Sequence, residues 1–198
     1  GIPTGLSSCR TITDGSFFCG WSMSASAGTL DFGSGITVVS EDTRVGIVKY
    51  NANGTALWAK ATASTTFGDL AVSKYGTLLA VVGSTGDRSD AGVLSRIDTS
   101  SGNEGKVLWS DSSGVGTHGF RGVEVTDNDQ EVFAFGQLTG AETLTDSHGR
   151  STTLRSRGSY DVFVVAYDAA DGGGKYAMDG GGTGMEYFFA MANDPDTH

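Results

Sequence analysis

The run Val45-Gly46-Ile47-Val48-Lys49-Tyr50-Asn51-Ala52-Asn53-Gly54-Thr55-Ala56-Leu57-Trp58-Ala59-Lys60 reads as two strands around a tight turn. Val45, Ile47 and Lys49 fall on one face and Gly46, Val48 and Tyr50 on the other, the period of two of a strand. Asn53-Gly54 supplies residues suited to the positive φ of a hairpin turn. An apolar run, Ala56 to Ala59, then resumes. The pattern returns twice. Gly92 to Asp98 leads through a Ser/Gly turn to Val107-Leu108-Trp109-Ser110, and Val162 to Asp168 leads through Gly172-Gly173-Gly174 to Lys175-Tyr176-Ala177-Met178.

A second hairpin type alternates with the first. Ser8-Cys9-Arg10-Thr11-Ile12 turns at Thr13-Asp14-Gly15 into Ser16-Phe17-Phe18-Cys19-Gly20-Trp21. The same form recurs around Lys74-Tyr75-Gly76 and around Asp127-Asn128-Asp129. Folding the first about Asp14 sets residue 11 opposite 17, 10 opposite 18 and Cys9 opposite Cys19. Directly opposed residues bring their Cβ atoms within reach of a disulfide at the closer pairs. A Cys9–Cys19 bridge is therefore expected, against two buried free thiols, and it implies an oxidising compartment.

The Trp/Tyr position precedes each following turn at a similar spacing: Trp58 before Gly76, Trp109 before Asp129, Tyr176 before Asp196. This divides the chain into repeats at about 15–75, 76–129 and 130–198, with 1–14 as the last strand of a preceding unit. Four antiparallel strands in a repeat of this size make a β-propeller blade. The expected fold is all-β: about three four-stranded repeats plus one extra strand at 187–196, together a β-propeller segment over 1–198. Three blades do not close an ordinary ring. The expectation is a piece of a larger propeller, with self-pairing through open strand edges as the other outcome.

The phrases 28–35, 46–60 and 162–168 resemble the repeat of seven-bladed-propeller type found in secreted and surface proteins, with its pattern D-x-F-V-x-K-Y-D-x-x-G-x-x-x-W. The match covers nearly the whole chain. It departs at Arg96-Ile97, where the pattern has Lys-Tyr, and at Tyr176, where it has Trp. The resemblance implies an extracytoplasmic, non-catalytic scaffold or interaction module, placed outside the cell or at its surface.

Composition agrees with an all-β chain: among 198 residues there are 31 Gly and only 2 Pro. The net charge of −10 disfavours nucleic acid and anionic membrane as partners. No apolar run reaches the roughly 18 residues of a membrane span. His118, His148 and His198 lack metal-ligand spacing, and no nucleophile elbow or phosphate loop is present. Asp168 and Asp171 are weak candidates for Ca²⁺, because the stretch lacks the order of a calcium loop and coincides with a hairpin turn. Asn53-Gly54-Thr55 is an N-x-T sequon on an exposed turn, making Asn53 a candidate glycan acceptor. No catalytic residue is assigned. The function expected is a structural, adhesive or filament-forming surface module whose partners are other copies or other surface proteins. The alternative is a carbohydrate- or calcium-binding propeller with its ligands in the 22–44 and 137–160 linkers. A propeller hydrolase or lyase, needing carboxylates that converge, ranks below both.

Overall fold

A computed structural model describes residues 5–23, 28–40, 45–62, 66–84, 92–112, 119–187 and 189–192. These residues are all-β, without a helix. The strands are β1 (Gly5–Thr11), β2 (Phe17–Ser22), β3 (Gly28–Asp31), β4 (Thr37–Ser40), β5 (Val45–Tyr50) and β6 (Ala56–Ala61). Next come β7 (Thr66–Val72), β8 (Leu79–Ser84), β9 (Gly92–Ile97) and β10 (Val107–Ser112). The remainder are β11 (Phe120–Val125), β12 (Glu131–Leu138), β13 (Ala141–Thr145), β14 (Ser151–Arg155), β15 (Asp161–Asp168) and β16 (Gly174–Gly180). They form three antiparallel four-stranded sheets, β1-β2-β5-β6, β7-β8-β9-β10 and β11-β12-β15-β16, plus the two-stranded hairpins β3-β4 and β13-β14. Among the described residues no helix is long and apolar enough to cross a membrane.

The sheets correct the phase of the expected repeats. Gly5–Thr11 is the first strand of the first sheet, hydrogen-bonded to β2, and not the last strand of a preceding unit. The breaks between sheets fall after β6 and β10 instead of at 75/76 and 129/130. The reason lies in the turns: 13–15, 74–76 and 127–129 are tight, so each joins hydrogen-bonded neighbours. The extra strand is absent among the described residues. Residues 186, 187 and 189–192 are irregular, tied back by one parallel bridge between Tyr160 and Met185 and by the Glu186 N–H donated to Tyr160 O at 2.8 Å. The 193–196 part of the expected closing turn lies outside the described residues, as do His118 and His198.

The predicted first hairpin forms in register, with Thr11 opposite Phe17, Arg10 opposite Phe18 and Cys9 opposite Cys19, and the two cysteines are bonded. Reduction, or Cys9→Ser with Cys19→Ser, is expected to cost about 2–3 kcal/mol for a loop of this length. Urea unfolding with and without reductant measures it; equal midpoints would contradict the estimate.

The opening hairpin holds with one correction. Its turn is a five-residue loop closed by Asn51, whose N–H reaches Thr55 O at 2.9 Å and whose Oδ1 accepts from Asn53 N and Thr55 N. Only Gly54 takes a positive φ, 78°. Asn53 sits exposed on the loop, where it serves no bond that a glycan would break.

Three apolar clusters hold the stack. One lies between the first and second sheets, including Phe18, Ile47, Leu70 and Leu79. A larger one lies between the second and third, including Ala80, Leu94, Trp109, Val123, Val132 and Tyr167. The third packs hairpin β3-β4, through Leu30 and Val38, over Trp21 and Val48 of the first sheet.

Candidate functional site

Strand registers make the three sheets comparable position by position. Call the side of each sheet that meets the next its forward face. Phe18, Lys49 and Trp58 stand opposite one another in the first sheet, Ala80, Arg96 and Trp109 in the second, Phe133, Ala166 and Tyr176 in the third. One pair along, Ile47, Leu94 and Val164 are equivalent. In the first two sheets these positions are covered: Phe18 and Ala80 are each 0 % exposed, Ile47 1 % and Leu94 0 %. In the third sheet Phe133 and Val164 are half-buried and Tyr176 is 47 % exposed, beside the exposed Met178.

The rear faces show the mirror situation. Phe67, Leu70, Leu79 and Ile97 of the second sheet, and Phe120, Val123, Val132 and Tyr167 of the third, sit in the clusters between sheets. The equivalent positions of the first sheet are Leu6, Cys9, Phe17 and Tyr50. Leu6 and Cys9 are exposed, while Phe17 and Tyr50 are half-buried with their rings stacked at 5.0 Å. The disulfide thus replaces the apolar pairs Leu70/Val81 and Val123/Ala134. On the rear face of the first sheet hairpin β3-β4 covers Trp21 and Val48 and packs against Phe17 and Tyr50, which leaves Leu6 and Cys9 as its exposed part.

The recurring Trp/Tyr position shows how a forward face seats its neighbour. Trp109 is buried, and its Nε1–H donates to Ala169 O in the β15-β16 turn at 2.9 Å, with Arg96 donating to the same carbonyl. Trp58 and Trp109 pack between sheets, as the sequence reading expected, whereas Tyr176 meets no further sheet among the described residues.

A cleft of about 220 Å³ opens where hairpin β13-β14 folds over the rear face of the third sheet, between Leu144, Thr152 and Val165, with Asp111 of β10 at one wall. Asp146 pins the hairpin. Its carboxylate accepts from His148 N, Arg150 N, Arg150 Nε and Gly174 N at 2.7–2.9 Å. Burial works to raise its pKa, but the backbone donors of Arg150 and Gly174 and the Arg150 side chain outweigh it and hold the carboxyl at about 2. Lowered in the folded state, it stabilises the fold above its unfolded value of 3.8, and this contribution vanishes as pH falls through about 2. With allowance for the exposed Arg150, Asp146→Asn is expected to cost about 1–2 kcal/mol at pH 7 and almost nothing below pH 2, read from urea midpoints across pH. A loss independent of pH would contradict this.

Asp111 behaves oppositely: burial pushes its carboxyl up, against the Tyr167 hydroxyl and the Ser112 N–H, which pull it down. Tyr167 is 1 % exposed; its phenol is pushed upward by burial and by Asp111 beside it. The two are neighbours, and the Tyr167 hydroxyl is the hydrogen-bond donor that faces the Asp111 carboxyl.

No family model matches the sequence, and no curated protein matches it. Among solved structures, a luciferin-regenerating enzyme is similar over 92 % of this chain and 65 % of its own, at 9 % identity and a TM-score of 0.41. The chain therefore spans just under two thirds of that structure's length.

The calcium candidates are committed to their own turn. Asp168 Oδ1 accepts from Ala170 N and Asp171 Oδ1 from Gly173 N, while Asp171 Oδ2 lies 3.2 Å from His148 Nε2. Among the described residues no group of three His, Cys, Asp or Glu is placed to hold a metal. The sequence reading missed Asp111, Asp146 and Tyr167 as a group. It passed over 141–155 as a polar stretch, although Glu142, Leu144, Thr152 and Leu154 alternate with outward residues around an Asp146-Ser147-His148-Gly149 turn.

Proposed function

We propose that this chain is a non-enzymatic extracellular structural module that assembles by stacking sheet on sheet, the forward face of one copy seating the rear face of a second. The observation that carries the reading is the half-exposed set Phe133, Val164 and Tyr176: the equivalents of Phe133 and Val164 in the other two sheets are buried, and those of Tyr176 are the half-buried Trp58 and the buried Trp109. Continuity with two interfaces inside the chain favours another sheet of the same repeat as the occupant; in a second copy the matching rear face is exposed at Leu6 and Cys9, beside Phe17 and Tyr50, which also pack against hairpin β3-β4. The two faces lie at opposite ends, so the contact is heterologous; copies close a ring if the rotation permits and otherwise grow a filament. The Cys9–Cys19 bond supports an oxidising, extracytoplasmic setting. Sedimentation velocity tests the reading. The chain should run at multiples of 20.4 kDa that rise with concentration, and a mass of 20.4 kDa at every concentration would sink it.

A further inference from the structure

The three sheets do not stack in a straight line. The first strand of each sheet lies against the first strand of the next, β1 against β7 and β7 against β11, while the fourth strands β6, β10 and β16 make no comparable approach. The turns that follow the first strands are tied as well. Thr13 N–H donates to Lys74 O at 2.9 Å, and the Thr77 hydroxyl donates to the Asp129 carboxylate. Sheets held close along one edge and apart along the other curve around an axis on the side of β1, β7 and β11, as the blades of a propeller do.

Resting on the stacking reading, we propose that two copies of this chain close a ring of six sheets, the forward face of each seated on the rear face and hairpin β3-β4 of the other. Curved stacks of this kind close with about four to eight sheets. One copy brings three sheets, too few, and three copies bring nine, too many. Two copies fall within the range. The joint between the second and third sheets shows that a hairpin on the receiving sheet leaves room for its neighbour. β13-β14 and β3-β4 are each inserted between the second and third strands of their sheets. With β13-β14 in place, Trp109 still reaches Tyr167 and Asp111 still lies beneath the hairpin. By register Tyr176 is the equivalent of Trp109, Met178 of Asp111, and Tyr50 of Tyr167. The joint inside the chain sets a carboxyl beside a phenol; the joint between copies sets the Met178 thioether beside Tyr50, a favourable sulfur–aromatic pairing. Met178 is 56 % exposed and Val39 of β4 is 70 % exposed, and the partner copy covers this apolar surface on both sides of the joint.

Sedimentation equilibrium of the oxidised chain over a wide range of concentration tests this. The mass should rise from 20.4 kDa to twice that value and stay there. Met178→Lys, placed at an exposed position, should leave the unfolding midpoint unchanged and hold the chain at its own mass. Growth beyond twice the chain mass would overturn the ring and leave stacking standing. The chain mass at every concentration would remove stacking and ring together. A plateau at twice the mass that Met178→Lys does not disturb would show that the copies meet through other faces, and would overturn the proposal.

Discussion

Trp109→Ala is expected to lower stability by about 3–5 kcal/mol, the cost of emptying a buried indole site. The ring lies between the second and third sheets, 5.8 Å from Tyr167, and its N–H holds Ala169 O. Gly172, at a φ of 74°, lets the β15-β16 turn pass against the ring; a Cβ there would fall 2.7 Å from it. The turn cannot close on the smaller side chain without giving up that conformation. Trp109→Phe, keeping much of the volume and losing the N–H, should cost about 1–3 kcal/mol. Urea unfolding distinguishes them; a loss under about 1 kcal/mol for the alanine variant would show that the sheets do not depend on this contact.

Tyr176→Ala, at the equivalent position, should behave in the opposite way. The ring is 47 % exposed and touches Phe133 at 6.3 Å, so the isolated chain should lose about 1 kcal/mol or less. Self-association should weaken by a factor of about 30 or more, the effect of removing an interface tyrosine at the centre of a patch. On the proposed assembly, one aromatic position holds the fold together in one sheet and holds copies together in another. Equal stability losses for the two variants would break the equivalence.

How far the sequence reveals this arrangement depends on the period of each stretch. Strand alternation in 45–60 and the fold about Asp14 are set by local chemistry, so the hairpins and the Cys9–Cys19 pairing follow from residues alone. The grouping of hairpins into sheets does not. A repeat can be cut at any phase without altering its period, and only the hydrogen bonds of β1 to β2 fix the cut. The hairpin at 141–155 stayed hidden because its outward residues, Thr143, Thr145, Ser151 and Thr153, mask the two leucines that face in. Asp111 and Tyr167 are far apart in sequence and meet only because the second sheet packs on the third. No motif encodes that meeting. The turn carboxylates Asp168 and Asp171 are weak calcium candidates because their stretch lacks the order of a calcium loop, and one oxygen of each accepts a backbone N–H of its own turn.

Head-to-tail stacking is tested most directly by mixing two blocked variants, Tyr176→Lys on the forward face and Leu6→Lys on the rear face, and sedimenting each alone and together. Each variant alone should run at the chain mass of 20.4 kDa, because each copy has lost one of its two faces. The equimolar mixture should run at twice that mass and no higher, joined through the one forward face and one rear face left intact. A mixture that stays at the chain mass, or either variant assembling alone as the unaltered chain does, would contradict the account.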